Sequence, residues 1–315
     1  MSGYVVDVMM PVYNHERYLA QAIESIVTQK TNFRFRLIVA DDCSKDNSRS
    51  IISDFAARYP DIVEPVFHKQ NVGASANGAY LNSRAASKYV AICEGDDYWI
   101  DPFKLQKQVD FMEAHPDFTI CFTDVEIINE RGVHTDEYFS RKDGDTYTIA
   151  DFILSIQNII PTPTILFRNV LPNPLPAFYL DSIGADRFIQ ICLADKGKAK
   201  HLKEKTAMYR DHSQGLTKSK ELEERGLKAK IALYKNLNEY LGYKYDKYFR
   251  IRLFDLCKTN LIFESRNKKG MAKLQHYRKA MGDYLKYSDK LNLKEIVYYH
   301  LVLFFPAVLK LKKKA

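Results

Sequence analysis

Through its first hundred residues the chain alternates apolar, β-branched runs with segments of helical period, and this rhythm restricts the fold more than any other feature. "YVVDVMMPV", "FRLIVADD", "IVEPVFH" and "KYVAICEGDD" read as strands. After the first of them, Tyr18, Leu19, Ala22, Ile23, Ile26 and Val27 recur at helical spacing, with Asn14 placed to cap that helix. Ser44, Asp46, Asn47 and Ser48 form a turn and cap cluster ahead of a helix lined by Ile51, Ile52, Phe55 and Ala56. "QNVGASANGAYLNSRAAS" reads as a loop and then a helix of small residues. Such alternation builds parallel β-α-β units with the sheet covered on both faces. Pro65 lacks an N–H for a second neighbour, so the third strand is expected near an edge.

Two of these strands end in acid. Asp41 and Asp42 close the second, and Glu94, Asp96 and Asp97 of "CEGDDYW" follow the fourth. Open α/β sheets bind ligands at the carboxyl ends of their strands. The turn after the first strand, "PVYNHERY", has neither GxGxxG nor GK[ST], which argues against a dinucleotide fold or a P-loop. Phosphates bound at this edge therefore need help from a metal. Three carboxylates within four positions repel one another unless a cation neutralises them. Gly-Asp-Asp is also good turn chemistry, so a solvated turn is the competing reading. A hard divalent cation such as Mn2+ or Mg2+ takes oxygen ligands and converts the repulsion into attraction. Glu94 and Asp96, two apart on an extended chain, point to the same side.

Further along, "DPFKLQKQVDFMEAH" reads as a helix and "FTICFTDVEII" as a strand ending near Asp124. Residues 131–150 are polar and loop-like, and "TPTILF" reads as a short strand. "DRFIQICLADKG" reads as a helix stopped by Gly197, and "KAKHLKEKTAMYRDHS" as a last strand and a polar turn. The five cysteines are scattered without a CxxC pair, so neither a disulfide framework nor a zinc site is expected. That usage fits a reducing cytoplasm. "MSGYVVDVMM" has no basic start and reads as a strand rather than a signal.

Charge divides the chain. From Lys218 onward there are 24 basic and 10 acidic residues, against 23 and 29 in the first 217. The basic part reads as helical to about residue 290 and holds 10 of the 21 tyrosines. No RRM, helix-turn-helix or zinc pattern accompanies them, so no nucleic-acid partner is expected. "EIVYYHLVLFFPAVLKLKKKA" has 14 apolar-leaning residues from Ile296 to Leu309, with Pro306 among them. A bilayer span needs about 20. The segment fits an interfacial helix on an anionic membrane surface, or a helix packed on the first part of the chain. A long helical tail also offers a surface for a homo-oligomer.

Several quoted stretches now combine: "MMPVYNHERYLAQAIESIVTQ", "LIVADDCSKDNS", "NVGASANGA", "YVAICEGDDYWIDPFKLQKQV" and "GADRFIQICLADKGKAKHLKEKTAMYRDHS". In this order, over about residues 4–217, they resemble family 2 glycosyltransferases of the GT-A fold. The resemblance implies an α/β domain, 1–217, with a Rossmann-like, mostly parallel sheet flanked by helices. Its nucleotide-sugar half would cover about residues 1–100 and its acceptor half about 101–217, with a basic helical extension over 218–315. It implies inverting transfer of a sugar from a nucleotide-diphosphate donor, of UDP type, to a glycan or lipid-linked glycan. The setting would be surface polysaccharide synthesis, in the cytoplasm at the inner face of the cell membrane.

The resemblance also implies roles for single residues. Pro11, Tyr13 and Asn14 would lie against base and ribose, Asp41 or Asp42 would accept a hydrogen bond from them, and Asn71 and Gly73 would flank the nucleotide. Asp96 and Asp97 would divide nucleotide and metal duty, with Glu94 beside them, and the metal would be Mn2+ or Mg2+. Asp186 would be the general base. His212 would reach the metal or diphosphate, and Arg210 a phosphate. Trp99 would stack on a sugar or belong to the core, and Asp124 and Thr164 would lie on the acceptor side. The chain departs from the family pattern where Glu94 replaces the first acid of D-x-D, and where Ala185 replaces the acid before the base. A nucleotidyl or phosphoryl transferase with the same metal site, and a non-catalytic nucleotide-sugar binder, are the alternatives.

Overall fold

The computed structural model describes residues 3–135, 144–182, 184–212, 221–267 and 283. The chain divides into two compact units, Met1–Ser219 and Lys220–Ala315. The membrane reading of residues 296–309 lies outside the described residues.

The first unit begins with β1 (Val6–Val12), α1 (Leu19–Val27), β2 (Phe35–Asp41), α2 (Ser48–Arg58), β3 (Val63–Phe67), α3 (Ala74–Arg84) and β4 (Tyr89–Ile92). It continues with β5 (Tyr98–Trp99), α4 (Lys104–Ala114), β6 (Phe118–Asn129), β7 (Thr146–Tyr147), α5 (Ile149–Leu154), β8 (Leu166–Arg168), α6 (Ala185–Ala194) and β9 (Lys198–Asp211). The strands form one sheet in the order β3-β2-β1-β4-β8-β6-β9-β5, with β7 paired to β9. β1 runs parallel to both β2 and β4, and β2 to β3. β8 enters antiparallel between β4 and β6. The result is a mixed, mostly parallel sheet flanked by helices, and Pro65 sits in its edge strand, β3.

β1, β2 and β4 are buried on both faces, which is why their sequences are apolar runs rather than alternating patterns. α1 lays Leu19, Ala22, Ile23, Ile26 and Val27 into the core, the set its period marks. Asn14 does not cap this helix. Its backbone is left-handed (φ 57°) and its Oδ1 accepts the Lys45 N–H at 2.8 Å, while α1 begins at Leu19 without a side-chain cap. β6 runs past Asp124 to Asn129, because register shifts beside Asp124 let it keep pairing with β9. "TPTILF" splits into a 3-10 turn, Thr162–Thr164, and β8. Within the stretch read as loop, Thr148 and Asp151 form a reciprocal capping box that starts α5. β5 has only two residues and exists through its pairing with β9, so no local pattern marks it.

The second unit contains α7 (Glu221–Tyr240) and α8 (Asp246–Asn267), with Leu233, Leu237, Phe249 and Leu253 buried and Tyr234 set edge-on to Phe249 at 6.1 Å. No described helix is long and apolar enough to cross a membrane.

One cation lies inside the core of the first unit. Lys104 is fully buried; its Nζ donates to Gln108 Oε1 at 2.7 Å and sits 4.4 Å above the Trp99 ring. Burial lowers its pKa to about 7. The unfolded chain holds this proton up to the ordinary lysine value and the folded chain only to about 7, so stability rises with pH across that interval. Each tenfold change in proton affinity is worth about 1.4 kcal/mol. Lys104→Met is therefore expected to be more stable than wild type by a few kcal/mol near pH ~7, and its advantage to shrink toward pH ~10. Urea unfolding at the two pH values checks this, and an equal advantage at both contradicts a neutralised lysine.

Candidate active site

The strand order reverses between β1 and β4, where the chain leaves β1 outward through β2 and β3 and returns on the other side. Residues 13–18 leave the carboxyl end of β1 and residues 93–97 leave that of β4, so the two turns meet at the switch point. They meet closely. A Cβ on Gly95 would lie 2.8 Å from His15 Nδ1, 3.0 Å from Val12 Cγ2 and 3.1 Å from Leu19 Cδ1, so any larger residue would force these side chains to shift.

The carboxylate oxygens of Glu94, Asp96 and Asp97 lie within 4.8 Å of one another. β9 holds them there. The Arg210 backbone N–H donates to Asp97 Oδ1 at 2.8 Å, and its Nε donates to the Asp96 carbonyl at 3.1 Å. The guanidinium also donates to Gln21 Oε1 at 3.1 Å and lies 4.3 Å over the Tyr18 ring. Arg210 thus braces the acidic loop from beside it. His212 Nε2 is 2.9 Å from Asp96 Oδ2, and His15 Nε2 is 3.7 Å from the same oxygen. His15 was missed in the sequence, where nothing but its place after Asn14 marks it.

The three acids differ in charge state. Burial, reinforced by the Asp96 charge, pushes Glu94 and Asp97 well above the carboxylate range; Asp186 adds to the shift at Glu94. Burial works in the same direction on Asp96, but the His212 hydrogen bond and the His15 charge outweigh it and hold Asp96 low. Asp97 Oδ2 is buried with no partner among the described residues. An orphaned carboxylate oxygen, two acids that ionise reluctantly and an all-oxygen donor set fit a hard divalent cation.

Asp186 sits in the first turn of α6, after Gly184 in the left-handed region (φ 99°). Its Oδ2 accepts from Asn158 Nδ2 at 3.3 Å and Thr162 Oγ1 at 3.4 Å. Burial raises its pKa against those two bonds. Its effect on Glu94 places it near the acidic cluster.

The carboxylates at the end of β2 are turned to the protein's own loops. Asp42 accepts from Val72 N at 2.6 Å and Gly73 N at 2.9 Å, and its carbonyl accepts from Asn71 Nδ2 at 3.1 Å. Asp41 Oδ2 accepts from Arg49 Nε at 2.6 Å and Ser44 N at 3.1 Å. Gly73 has φ 87° and precedes α3. Pro11 is half-buried in β1, and Tyr13 is 40% exposed beside it. Two of the acceptor-side candidates are buried. Trp99 is 4% exposed, its Nε1 donates to the Pro163 carbonyl at 2.7 Å, and Lys104 covers its ring, so it is core. Thr164 is fully buried and donates to the Pro161 carbonyl. Asp124 pairs with His201 at 3.1 Å and is not among the clustered carboxylates.

Residues 7–172 match the model of glycosyl transferase family 2. The chain belongs to this family. An uncharacterized protein of Mycobacterium tuberculosis is 36% identical over 208 residues, which are 65% of this chain and 58% of that protein. The chain thus spans little more than half the length of that relative. TuaG of Bacillus subtilis, whose provisional name assigns it to teichuronic acid biosynthesis as a glycosyltransferase, is 28% identical over 143 residues, 45% of this chain and 55% of its own. Among solved structures, S. aureus TarS superposes with a TM-score of 0.61 at 17% identity, covering 90% of this chain and 81% of that one. Mannosyltransferase PcManGT of Pyrobaculum calidifontis, solved with GDP-Man and Mn2+, gives 0.56 at 14% identity, covering 96% and 81%. These likenesses show a shared GT-A fold.

In the metal-free protein the raised carboxylates have a stability cost with a definite sign. A folded-state pKa above the unfolded value means stability is lost as pH rises past the ordinary carboxylate range. Glu94→Gln is expected to melt higher than wild type at pH ~8, by about 2–4 °C per kcal/mol relieved, and to match it at pH ~4. The thermal shift that Mn2+ gives the wild type should shrink or vanish in this variant. Calorimetric melting with and without Mn2+ checks both parts.

Proposed function

We propose that this family 2 chain is a metal-dependent, inverting glycosyltransferase acting on a nucleoside-diphosphate sugar. The observation that carries the reading is Asp186, a half-buried carboxylate with a raised pKa, set near the acidic cluster at the switch point of the sheet. Glu94, Asp96 and Asp97 would hold Mn2+ or Mg2+, which when bound offsets the negative charge of a diphosphate leaving group. TarS has been solved with UDP and UDP-GlcNAc, which supports a UDP-sugar donor. The name of TuaG supports a cell-surface glycan as acceptor. The excess of Lys and Arg beyond residue 217 supports work beside an anionic membrane, on its cytoplasmic side.

The residues then divide the work. His212 fixes one oxygen of Asp96, and Arg210 fixes Asp97 through its backbone, so the cluster is aimed before any ligand arrives. Asn158 and Thr162 orient Asp186. Asp186 takes the proton of the acceptor hydroxyl as that oxygen bonds to the anomeric carbon. The bond from that carbon to the diphosphate oxygen breaks with its electron pair, and displacement from the opposite face inverts the centre. A raised carboxylate pKa makes the base stronger at neutral pH.

The test is a panel of nucleotide sugars with Mn2+, Mg2+ or EDTA, for wild type and Asp186→Asn. Metal-dependent release of nucleoside diphosphate is expected, with kcat about 10²–10⁴-fold lower in Asp186→Asn and nucleotide binding retained. The acidic limb of kcat/KM should lie above the ordinary carboxylate value, with rate falling as pH drops through it. Pyrophosphate as product would make the chain a nucleotidyl transferase. Full turnover by Asp186→Asn would remove Asp186 as the base.

A further inference from the structure

Between the donor-side helix and the base stands a side chain with no role so far. Tyr179 closes a 3-10 turn, Ala177–Tyr179, ahead of α6. It is 2% exposed, and its ring is held edge-on by Phe188 of α6 at a centroid distance of 5.1 Å. The turn is fastened on both sides. Ser182 donates its backbone N–H and its hydroxyl to the Tyr179 carbonyl, at 3.1 and 2.6 Å, and Ser75 in the first turn of α3 donates to the Ser182 carbonyl at 3.2 Å. The hydroxyl reaches Gly78 of α3, where a Cβ would lie 2.9 Å from it. Among the described residues nothing hydrogen-bonds this hydroxyl. Burial raises its pKa and the charge of Asp186 raises it further, so the base is a near neighbour.

A phenol set in the core ordinarily finds a hydrogen-bond partner for its hydroxyl. This one is rigidly placed and left open. α3 follows the loop that Asp42 holds at the nucleotide edge, and Asp186 addresses the acceptor hydroxyl. A group that touches the first and neighbours the second lies where the transferred sugar must pass.

We propose that the Tyr179 hydroxyl binds a ring hydroxyl of the sugar being transferred, with Gly78 leaving the space it occupies. The assignment rests on the glycosyltransferase reading above. It makes Tyr179 a determinant of the sugar and not of the nucleotide. Tyr179→Phe removes one oxygen and keeps the ring against Phe188. Gly78→Ala keeps the oxygen and displaces it.

The experiment is calorimetric titration of wild type and both variants, with Mn2+ present. The ligands are UDP-glucose, UDP-GlcNAc and GDP-mannose, each beside its free nucleoside diphosphate. For the sugar nucleotide that wild type binds tightest, both variants should lose about 2–10-fold in affinity, as expected for one hydrogen bond. Their affinity for the free nucleoside diphosphate should be unchanged and Tyr179→Phe should melt no lower than wild type, which a merely structural tyrosine would not give. Equal affinity of Tyr179→Phe and wild type for the sugar nucleotide overturns the assignment. So does an equal loss for sugar nucleotide and free nucleotide. If wild type binds no member of the panel, the glycosyltransferase reading itself falls, and Tyr179 falls with it.

Discussion

Three carboxylates crowded at the carboxyl end of β4 are the constraint around which the first unit is organised. Left alone they would repel one another and open the turn. They stay together because β9 returns beside them and gives a backbone N–H to Asp97 and a guanidinium to the Asp96 carbonyl. The donor and acceptor of the first bond are 113 residues apart, so the cluster forms only when the whole sheet has formed. Gly95 supplies the other half of the constraint by letting the turn lie directly on residues 12–19. The backbone therefore fixes where the charges are, and the charges are left incompletely balanced.

That imbalance stands out against two other buried acids of the same sheet. Asp7 is fully buried, yet it is matched by Arg36 at 3.0 Å and by two backbone N–H groups. Asp42 gives both oxygens to the loop before α3. Asp97 keeps a buried oxygen that nothing in the described protein fills. Asp7 and Asp42 are thus satisfied by their own loops and neighbours, whereas Asp97 is not. Asp97 Oδ2 and His15 Nδ1, both buried without a partner among the described residues, lie at the switch point, where α/β sheets bind their ligands.

Much of this was legible in the residues. Burial on both faces makes β1, β2 and β4 continuous apolar runs, and the α1 period marks the face it buries, so local pattern carries them. Pro65 marked an edge for the same reason, through a missing donor. The sites of failure share a cause: each is decided by a partner distant in sequence. β5 is a strand only because β9 pairs with it, and β6 continues past Asp124 only because β9 follows it through the bulges. Trp99 was open between sugar and core in the sequence, and Lys104 and the Pro163 carbonyl decide for the core by taking its π surface and its N–H. Arg210 carries a bracing task that no local pattern shows, since Gln21 and the acidic turn it holds lie far away in sequence. His15 had no signal, because its importance comes from lying against a turn 80 residues later.

The same side chain type appears here in two electrostatic states, and the difference assigns the work. Asp96 is held low by imidazoles, so it is charged before any cation comes and can draw one in. Glu94 and Asp97 are held high and give up their protons more readily once a cation replaces them, which couples binding to proton release. Asp186 is also held high, but its partners are the neutral amide of Asn158 and the hydroxyl of Thr162. Neither donor is a full charge that would fix it as a weak base. A cation among the first three lowers the proton affinity of all four carboxylates, and least for the one farthest from it. On the proposed reading, a base on α6, outside the cluster but within reach of its field, would let one ion charge its own ligands while Asp186 kept enough basicity to take a proton.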